Sequence, residues 1–171
     1  MNVTLIQATP DPIKTIADIA SICYGREGSD HPLDLVKHLY QNGHHSVFEH
    51  VYFTFKIEGI SRACSHQLVR HRMCAFTQRS QRFCDENGID VVEPDDMTFL
   101  QDDLFYKSML DTWRSYSKLQ RSGMKNEDAR YVLPNACCTD LYLSCNLREL
   151  IHIANERLCK KAQWEIRDLV T

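Results

Sequence analysis

Segments with the composition of β-strands occur at uneven intervals along this chain, and helical patterns lie between them. Residues 51–57 are rich in β-branched and aromatic residues, which is typical of a strand. Residues 3–7 and 136–145 are the other predicted strands. Strands and helices do not alternate strictly, as they would around a parallel sheet. We therefore expect an α+β fold, a single domain in which helices flank an antiparallel or mixed sheet.

Apolar residues at helical spacing, together with residues that start or stop helices, predict the helices. These cover residues 11–25, 32–41, 61–70, 99–121, 126–133 and 147–169. The last of them gives the predicted fold a long C-terminal helix. Residues 84–98 are acidic and contain a glycine and a proline, so we expect a loop there.

The composition is that of an ordinary globular protein with a slightly acidic balance. The 171 residues are 43% hydrophobic and carry a formal charge of −3. This is enough chain for a hydrophobic core, and the charge gives no overall attraction to nucleic acid or anionic membranes. No apolar run approaches the length of a bilayer span, and residues 1–8 lack the features of a signal peptide. We expect a cytoplasmic protein that binds neither nucleic acid nor membrane.

The chain has eight cysteines, and no two of them are spaced as Cys-x-x-Cys, so structural zinc is not expected. Several lie within apolar segments, which favours buried, reduced thiols. Cys74 stands apart because it lies among arginines, which we expect to lower its pKa. None is a convincing nucleophile.

Residues 67–82 are locally positive, in contrast to the negative overall charge of the chain. Five of these side chains carry or can carry positive charge, and no aspartate or glutamate occurs between residue 67 and Asp85. Arginine forks, serine hydroxyls and free backbone amides bind phosphate oxygens well. A solvated basic face or a nucleic-acid patch is the alternative, but interleaved apolar residues favour a phosphate site beside a packed element. The residues concerned are Arg70, His71, Arg72, Arg79, Ser80 and Arg82.

A helix over residues 147–169 would carry two polar stripes on opposite sides. One stripe places two cations among apolar residues, and a buried cation requires an anion or a polar ligand nearby. Two sites, or one site shared between subunits, would use both stripes. A surface helix with solvated cations is the alternative, and it explains Arg157 least well. The first stripe contains Leu150, Ala154, Arg157, Lys161 and Trp164, and the second contains Arg148, His152 and Asn155.

Two further polar groups have open roles. Residues 44–50 contain three histidines and a glutamate. At their irregular spacing we favour a metal-free polar loop, with Ser46 available for a hydrogen bond, over a metal site. Glu127 and Arg130 are three residues apart, so either they pair on one helix face or Arg130 points into a cleft.

Nearly the whole chain resembles the flavin-dependent thymidylate synthases. Arg70-His71-Arg72, followed after seven residues by Ser80, is similar to the signature of that family. Four other segments resemble family segments and come in family order. They run from His44 to Phe55, from Glu127 to Pro134, from Asn146 to Arg148 and from Ala162 to Ile166.

The resemblance implies a homotetramer whose active sites each draw on several subunits. It also implies FAD as cofactor, NADPH as reductant, methylenetetrahydrofolate as carbon donor and deoxyuridine monophosphate (dUMP) as the substrate that becomes thymidylate. By similarity, FAD would contact Ser46, Arg70, His71, Arg72, Met73, Gln78, Asn146, Arg148 and His152. The nucleotide would contact Gln67, Leu68, Val69, Arg70, Gln78, Arg79, Ser80, Gln81, Arg82, Arg130 and Arg157.

Arg157 is implied as the catalytic residue. At the uracil edge its charge would favour an ionised ring and so make C5 nucleophilic. Family members do without a cysteine nucleophile, and we expect the same here. From the irregular spacing of the histidines in residues 44–50 we also expect no metal.

The chain departs from the family pattern at three positions and at its end. Ala75 replaces a frequent serine, and Phe83 replaces the usual tyrosine. Lys161 replaces a histidine that family members often have near the flavin. Lysine keeps the positive charge and loses ring stacking, so we expect flavin affinity or potential to differ. Family members usually continue for another helix after the position of Thr171. The family domain over residues 1–171 is therefore expected to be short at its C-terminus.

Three classes of function compete. The enzyme is our first hypothesis. A non-catalytic nucleotide- or RNA-binding module built on residues 70–82 would bind polynucleotide with steep salt dependence and would hold no flavin, and the acidic total charge argues against it. A metal hydrolase built on residues 44–50 ranks last.

Overall fold

The computed structural model describes residues 1–88 and 90–171. Within these ranges the strands are β1 (Asn2–Ala8), β2 (Tyr52–Ser61), β3 (Ala75–Gln78) and β4 (Cys138–Asn146). The α-helices are α1 (Pro12–Ser21), α2 (Pro32–Gln41), α3 (Arg62–Leu68), α4 (Phe99–Arg121), α5 (Asn126–Ala129), α6 (Leu147–Arg157) and α7 (Trp164–Val170). Short 3₁₀ helices occupy Ile22–Tyr24, His45–His50 and Arg130–Val132. None of the helices in the described ranges has both the length and the apolar character to cross a membrane.

The strands form one sheet in the order β1-β2-β4-β3, and each neighbouring pair is antiparallel. The predicted α+β class is therefore confirmed. A bulge interrupts the register of β2 with β4 between Ile57 and Ile60. Gly59 has a φ of 70° there, and its N–H donates to the Asp140 carboxylate at 2.9 Å. This left-handed backbone favours glycine, because a Cβ atom would strain it.

One face of the sheet packs against α3 and α7 and forms the core. Side chains alternate along a strand, so Ile57 on β2 shares this face with Leu141 and Leu143 on β4. Burial of each such side chain contributes about 1.5–3 kcal/mol. The remaining buried members of this cluster are Ile60, Cys64, Leu68 and Ile166. A second cluster joins α1 and α2 to the 3₁₀ helix that follows them, through Ile16, Ala20, Leu39, Phe48 and Val51.

The helices α2 and α4 agree closely with their predicted bounds. A capping box starts α4, in which the Gln101 side chain accepts a hydrogen bond from the Thr98 N–H at 2.8 Å. The sequence does not predict β3, which lies inside the arginine-rich segment. This strand has only four residues, and Ala75 and Thr77 on one of its faces are exposed. Pairing with β4, which local sequence cannot reveal, defines it.

Two helices, α6 and α7, replace the single C-terminal helix predicted over residues 147–169. α6 ends at Arg157, and α7 begins at Trp164. Lys161 is exposed in the turn between them, so it does not continue the stripe that contains Arg157. The prediction of one continuous helix with that stripe is wrong.

Contacts with α3 explain this break. Gln163 caps α7, since its side chain accepts a hydrogen bond from the Ile166 N–H at 3.3 Å. The buried Glu165 carboxylate accepts hydrogen bonds from the N–H and the hydroxyl of Ser61, at 2.6 and 2.5 Å. Ser61 is also the N-cap of α3. A contact spanning 104 residues of sequence therefore fixes α7 independently of α6.

Candidate active site

The arginine-rich segment begins in a loop that regular structure holds at both ends. Residues 69–74, which we call the basic loop, join α3 to β3. At the start of the loop, the His71 N–H donates to the Leu68 carbonyl at 3.1 Å. At its end, β3 pairs with β4 from Ala75 onward. The loop is thus anchored to β4, the strand that leads directly into α6.

The side chains of the basic loop divide into exposed cations and a buried ring. Arg70, Arg72 and Met73 are exposed, whereas His71 is only 6% exposed. Across the part of the chain that the structure describes, neither Arg70 nor Arg72 has an ion-pair partner. Two guanidinium groups are therefore available to an anionic ligand at this surface.

Arg157, at the end of α6, points at the basic loop. Its Nε donates to His71 Nε2 at 3.0 Å, and a terminal nitrogen donates to the Gln67 carbonyl at 3.4 Å. The side chain is half-buried. The prediction that this cation needs a polar partner is confirmed, and the partners come from α3 and from the loop that follows it.

The ring of His71 is held by groups on α6. Its Nδ1 lies 3.7 Å from Glu149 Oε1, and its ring packs edge-on against His152 with centroids 5.8 Å apart. Burial and the neighbouring Arg157 lower the pKa of His71 below its usual value. Because Nε2 accepts from Arg157, the neutral ring carries its proton on Nδ1, the side that faces Glu149.

Glu149 is a site residue that sequence reasoning misses. It is 9% exposed on α6, four residues before the buried Ile153 and eight before Arg157. That helical spacing was the available signal. Donor atoms of His71, Glu149 and His152 lie within 4.8 Å of one another, close enough to share a metal ion. A metal on Nδ1 would move the proton to Nε2, where it would oppose the Arg157 donor, so the arrangement favours hydrogen bonding over metal binding.

An open cavity of about 460 Å³ lies beside this group. All three members of the second predicted polar stripe line it, so that stripe does face one site. The cavity also includes residues that were not predicted to contact FAD or the nucleotide. Its predicted lining residues are Met73, Asn146, Arg148, His152 and Asn155, and the unpredicted ones include Tyr40, His45, Glu49 and Glu149.

The predicted polar loop at residues 44–50 is a 3₁₀ helix that forms one wall of this cavity. His45 stacks on Tyr40 with ring centroids 5.5 Å apart. Glu49 pairs with Arg148, whose side chain is 53% exposed. Ser46 is exposed and is not among the lining residues.

Two of the residues predicted to hold a phosphate, Ser80 and Arg82, lie in a turn after β3. The Ser80 carbonyl accepts from the N–H groups of Phe83 and Cys84, at 3.2 and 2.9 Å. Arg82 in this turn pairs with Glu127 at 3.3 Å and lies over the Phe83 ring, 5.3 Å from its centroid. We call residues 80–84 the Ser80 turn.

Arg79, next to this turn, is already paired. Its Nε lies 3.2 and 3.3 Å from the two carboxylate oxygens of Glu86, which is 1% exposed. Burial raises the pKa of the Glu86 carboxyl, although Arg79 opposes this effect. The pair ties the turn to the residues that follow it.

Glu127 and Arg130 interact in a way that the sequence did not suggest. Arg130 Nε donates to the main-chain carbonyl of Glu127 at 3.0 Å, while the Glu127 carboxylate pairs with Arg82. Arg130 thus lies close to the Ser80 turn through a shared partner. The half-buried guanidinium is fixed by main chain and keeps its charge.

Three other predicted nucleotide contacts have internal partners. The Leu68 side chain is 1% exposed in the core, so only its backbone could meet a ligand. The Gln78 amide donates to Ser65 at 2.9 Å and to Thr139 at 3.2 Å. Gln81 donates to the Cys137 sulfur at 3.7 Å.

The expectation that arginines lower the pKa of Cys74 is wrong. A hydrogen bond with Cys145 and burial raise the pKa of the Cys74 thiol instead. The exposed arginines of the basic loop turn to solvent, and the thiol packs against the core.

The chain is similar over almost its full length to proteins of one family. Residues 4–171 match the family described as Thymidylate synthase complementing protein. The Flavin-dependent thymidylate synthase of Geobacter sulfurreducens is 42% identical over 185 residues, which cover 99% of this chain and 78% of the relative. That of Pyrococcus furiosus is 40% identical over 184 residues, with 99% and 75% covered.

Solved structures share the fold. The crystal structure of Thymidylate Synthase X from Helicobacter pylori with FAD and dUMP matches with a TM-score of 0.86 at 23% identity, covering 99% of this chain and 89% of that one. A second structure of the same H. pylori enzyme, complexed with FAD and dUMP, gives a TM-score of 0.83. Together with the family match over residues 4–171 and the two relatives, the fold leads to one conclusion: the chain belongs to the flavin-dependent thymidylate synthase family.

Proposed function

We propose that this protein catalyses the reductive methylation of dUMP to thymidylate. Methylenetetrahydrofolate would supply the carbon and NADPH the reducing electrons, with FAD as hydride carrier. The observation that carries the proposal is the half-buried Arg157 guanidinium, which uncharged partners hold beside the basic loop. Family relatives named for this activity and H. pylori structures named for FAD and dUMP support it.

The chemistry of the cavity suits FAD. Asn146 and Arg148 offer an amide and a guanidinium, while Met73 and the His152 ring offer apolar and aromatic surface. The exposed Arg70 and Arg72 would bind the cofactor's diphosphate. When bound, the flavin supplies hydride transfer. The full set proposed to contact it remains Ser46, Arg70, His71, Arg72, Met73, Gln78, Asn146, Arg148 and His152.

The Ser80 turn and Arg130 would bind the phosphate of dUMP. Ser80 offers a hydroxyl, and Arg82 and Arg130 offer guanidinium groups. The ion pair between Arg82 and Glu127 is solvent-exposed and worth little, so a phosphate can compete with it. Arg79 would contribute less, because the buried Glu86 already balances its charge.

Arg157 would activate the uracil ring. C5 of uracil is a poor nucleophile until negative charge develops in the ring, and a cation at the N3–C4 edge stabilises that charge. Arg157 keeps its full charge for this role, because its partners are a main-chain carbonyl and a histidine whose pKa is lowered. The chain thus supplies electrostatic stabilisation and orientation.

Activation by Arg157 would need no cysteine nucleophile. Burial raises the pKa of Cys64 to about 12 and that of Cys137 to about 11. Thiols of such high pKa hold little thiolate at neutral pH. Cys74, the cysteine of the basic loop, is shifted in the same direction.

The active unit would be a homotetramer with shared sites. The cavity beside α6 is open to solvent, and large apolar side chains on the edge strand β1 are about half exposed, among them Val3, Leu5 and Ile6. Exposed apolar patches of this kind mark interaction surfaces. A second subunit would cover them and complete the cavity.

The direct test begins with the absorption spectrum of the purified protein supplied with FAD. Under anaerobic conditions, NADPH with dUMP should bleach the flavin absorption, and methylenetetrahydrofolate should then yield thymidylate, detected by chromatography. Failure to bind FAD, or flavin bleaching without thymidylate, would contradict the proposal. Binding of polynucleotide with a steep salt dependence, in place of flavin, would support the nucleic-acid alternative.

A further inference from the structure

We propose that Glu149 is a positioning residue that, through His71, fixes the direction of the Arg157 guanidinium toward the uracil ring. This inference rests on the proposed function, because it assigns Glu149 a part in the recognition of dUMP. It concerns three side chains that contact one another in the order Glu149–His71–Arg157. Their contacts join both ends of α6 to the basic loop.

The first of these contacts, between Arg157 and His71, is a directional hydrogen bond. Arg157 Nε donates to His71 Nε2 at 3.0 Å, so Nε2 must carry a lone pair and no proton. An arginine side chain can turn about several bonds, and this acceptor selects one direction for it. The terminal nitrogens of the fork remain for the Gln67 carbonyl and for a ligand.

The second contact, between His71 and Glu149, decides which tautomer His71 adopts. Nδ1 lies 3.7 Å from the Glu149 carboxylate, which is too long for a direct hydrogen bond but close enough for strong attraction to an N–H group. Both side chains are almost completely buried, so water screens this attraction little. A carboxylate here favours the proton on Nδ1 and leaves Nε2 free to accept.

A neutral side chain at position 149 would remove that preference. The amide of glutamine can present either its oxygen or its nitrogen to Nδ1, so the proton could move to Nε2. Two N–H donors would then face each other, and Arg157 would turn away from its present direction. The hydrogen bond from Arg157 Nε to His71 Nε2 would then be lost.

The test compares Glu149→Gln, His71→Gln and the double variant with wild type, each loaded with FAD. The glutamine at position 71 offers an amide oxygen near the position of Nε2 and no longer depends on Glu149. Glu156→Gln, an exposed glutamate on the same helix, is the matched control. Affinities are measured calorimetrically for dUMP and for deoxyribose 5-phosphate, which lacks the base.

We expect Glu149→Gln to weaken dUMP binding by about tenfold to a hundredfold, by analogy with the loss seen when the outer partner that orients a metal-binding histidine is removed. Binding of deoxyribose 5-phosphate should not change, because Arg157 would contact only the base. In the His71→Gln background the same substitution should have little further effect. The Glu156→Gln control should bind both probes as wild type does.

Equal dUMP affinity in Glu149→Gln and wild type would overturn the inference, and so would an equal loss for both probes. If wild type binds no dUMP, the proposed function fails, and the tautomer of His71 still tests the contact. Long-range ¹⁵N–¹H NMR should show the proton on Nδ1 in wild type and a shift toward Nε2 in Glu149→Gln. Should that variant not fold, the wild-type spectrum decides alone, because a proton on Nε2 in wild type would overturn the inference.

Discussion

Arg157 differs from three other arginines around the site in the kind of partner it has. Arg79, Arg82 and Arg148 each face a carboxylate, whereas Arg157 donates to a ring nitrogen and a main-chain carbonyl. Uncharged acceptors fix the direction of a guanidinium without cancelling its charge. That property suits a group that must stabilise negative charge on a substrate.

The same residues show what sequence can and cannot predict about the site. Arg157 is recognisable because a cation on an apolar helix face needs an explanation. Glu149 is marked only by its helical spacing from Ile153 and Arg157, because a glutamate in the first turn of a helix is ordinary. Its contact with His71 comes from a distant part of the chain, and only the fold brings the two together.

His71 makes the stability of the protein depend on pH. Burial and Arg157 lower its pKa in the folded state below 6.5, so near that pH the unfolded chain binds more protons than the folded one. The free energy of unfolding should therefore be highest above 6.5 and should fall as the pH drops toward the folded-state pKa. Urea unfolding of the ligand-free protein at about pH 7.5 and about pH 5.5 measures this difference.

Two variants separate His71 from the other histidines in that measurement. His71→Gln should show a smaller fall in the free energy of unfolding between the two pH values. His66→Gln, which removes an exposed histidine of α3, should show the same fall as wild type. An unchanged pH dependence in His71→Gln would assign the effect to other groups.

Among the elements, those with strong local signals agree with their predictions, and the ones that the sequence does not predict, β3 and the break between α6 and α7, depend on distant contacts. Apolar spacing and the stop at Asn42 and Gly43 define α2, and Thr98 starts α4. The division between α6 and α7 depends on Glu165 and Ser61, and β3 depends on β4. No local pattern reports such pairings.

Replacing Glu165 by alanine should destabilise the junction of α3 and α7. The change removes two hydrogen bonds to a charged group and leaves the buried N–H and hydroxyl of Ser61 without that acceptor. We expect the free energy of unfolding to fall by about 3 kcal/mol, as measured by urea titration.

Glu156→Ala on the exposed side of α6 is the control for this measurement. It should change the free energy of unfolding by less than about 0.5 kcal/mol. A similarly small effect of Glu165→Ala would show that α7 is held by its apolar contacts alone, such as that of Ile166.

At the scale of the whole molecule, a single chain leaves its site open. The cavity beside α6 has one side exposed, and the apolar residues of β1 lie on an edge strand that, within the described ranges, pairs with β2 on one side only. Both features are consistent with a site completed by another subunit.

Light scattering at micromolar protein concentration should therefore give about four times the chain mass of 19.9 kDa. Substitution of Leu5 by lysine on the exposed edge strand should weaken this assembly, because it places a charge in the apolar patch. A mass equal to one chain in wild type would contradict the shared-site proposal.

The central claim is that the Arg157 charge activates dUMP for methylation. The measurement that tests it most directly is the rate of thymidylate formation by Arg157→Ala with FAD, NADPH and methylenetetrahydrofolate under anaerobic conditions. We expect the rate to fall by at least about a hundredfold, the usual loss when one such stabilising group is removed, while FAD remains bound. Arg114→Ala, which removes an exposed arginine of α4, should retain the wild-type rate. A wild-type rate in Arg157→Ala would contradict the account.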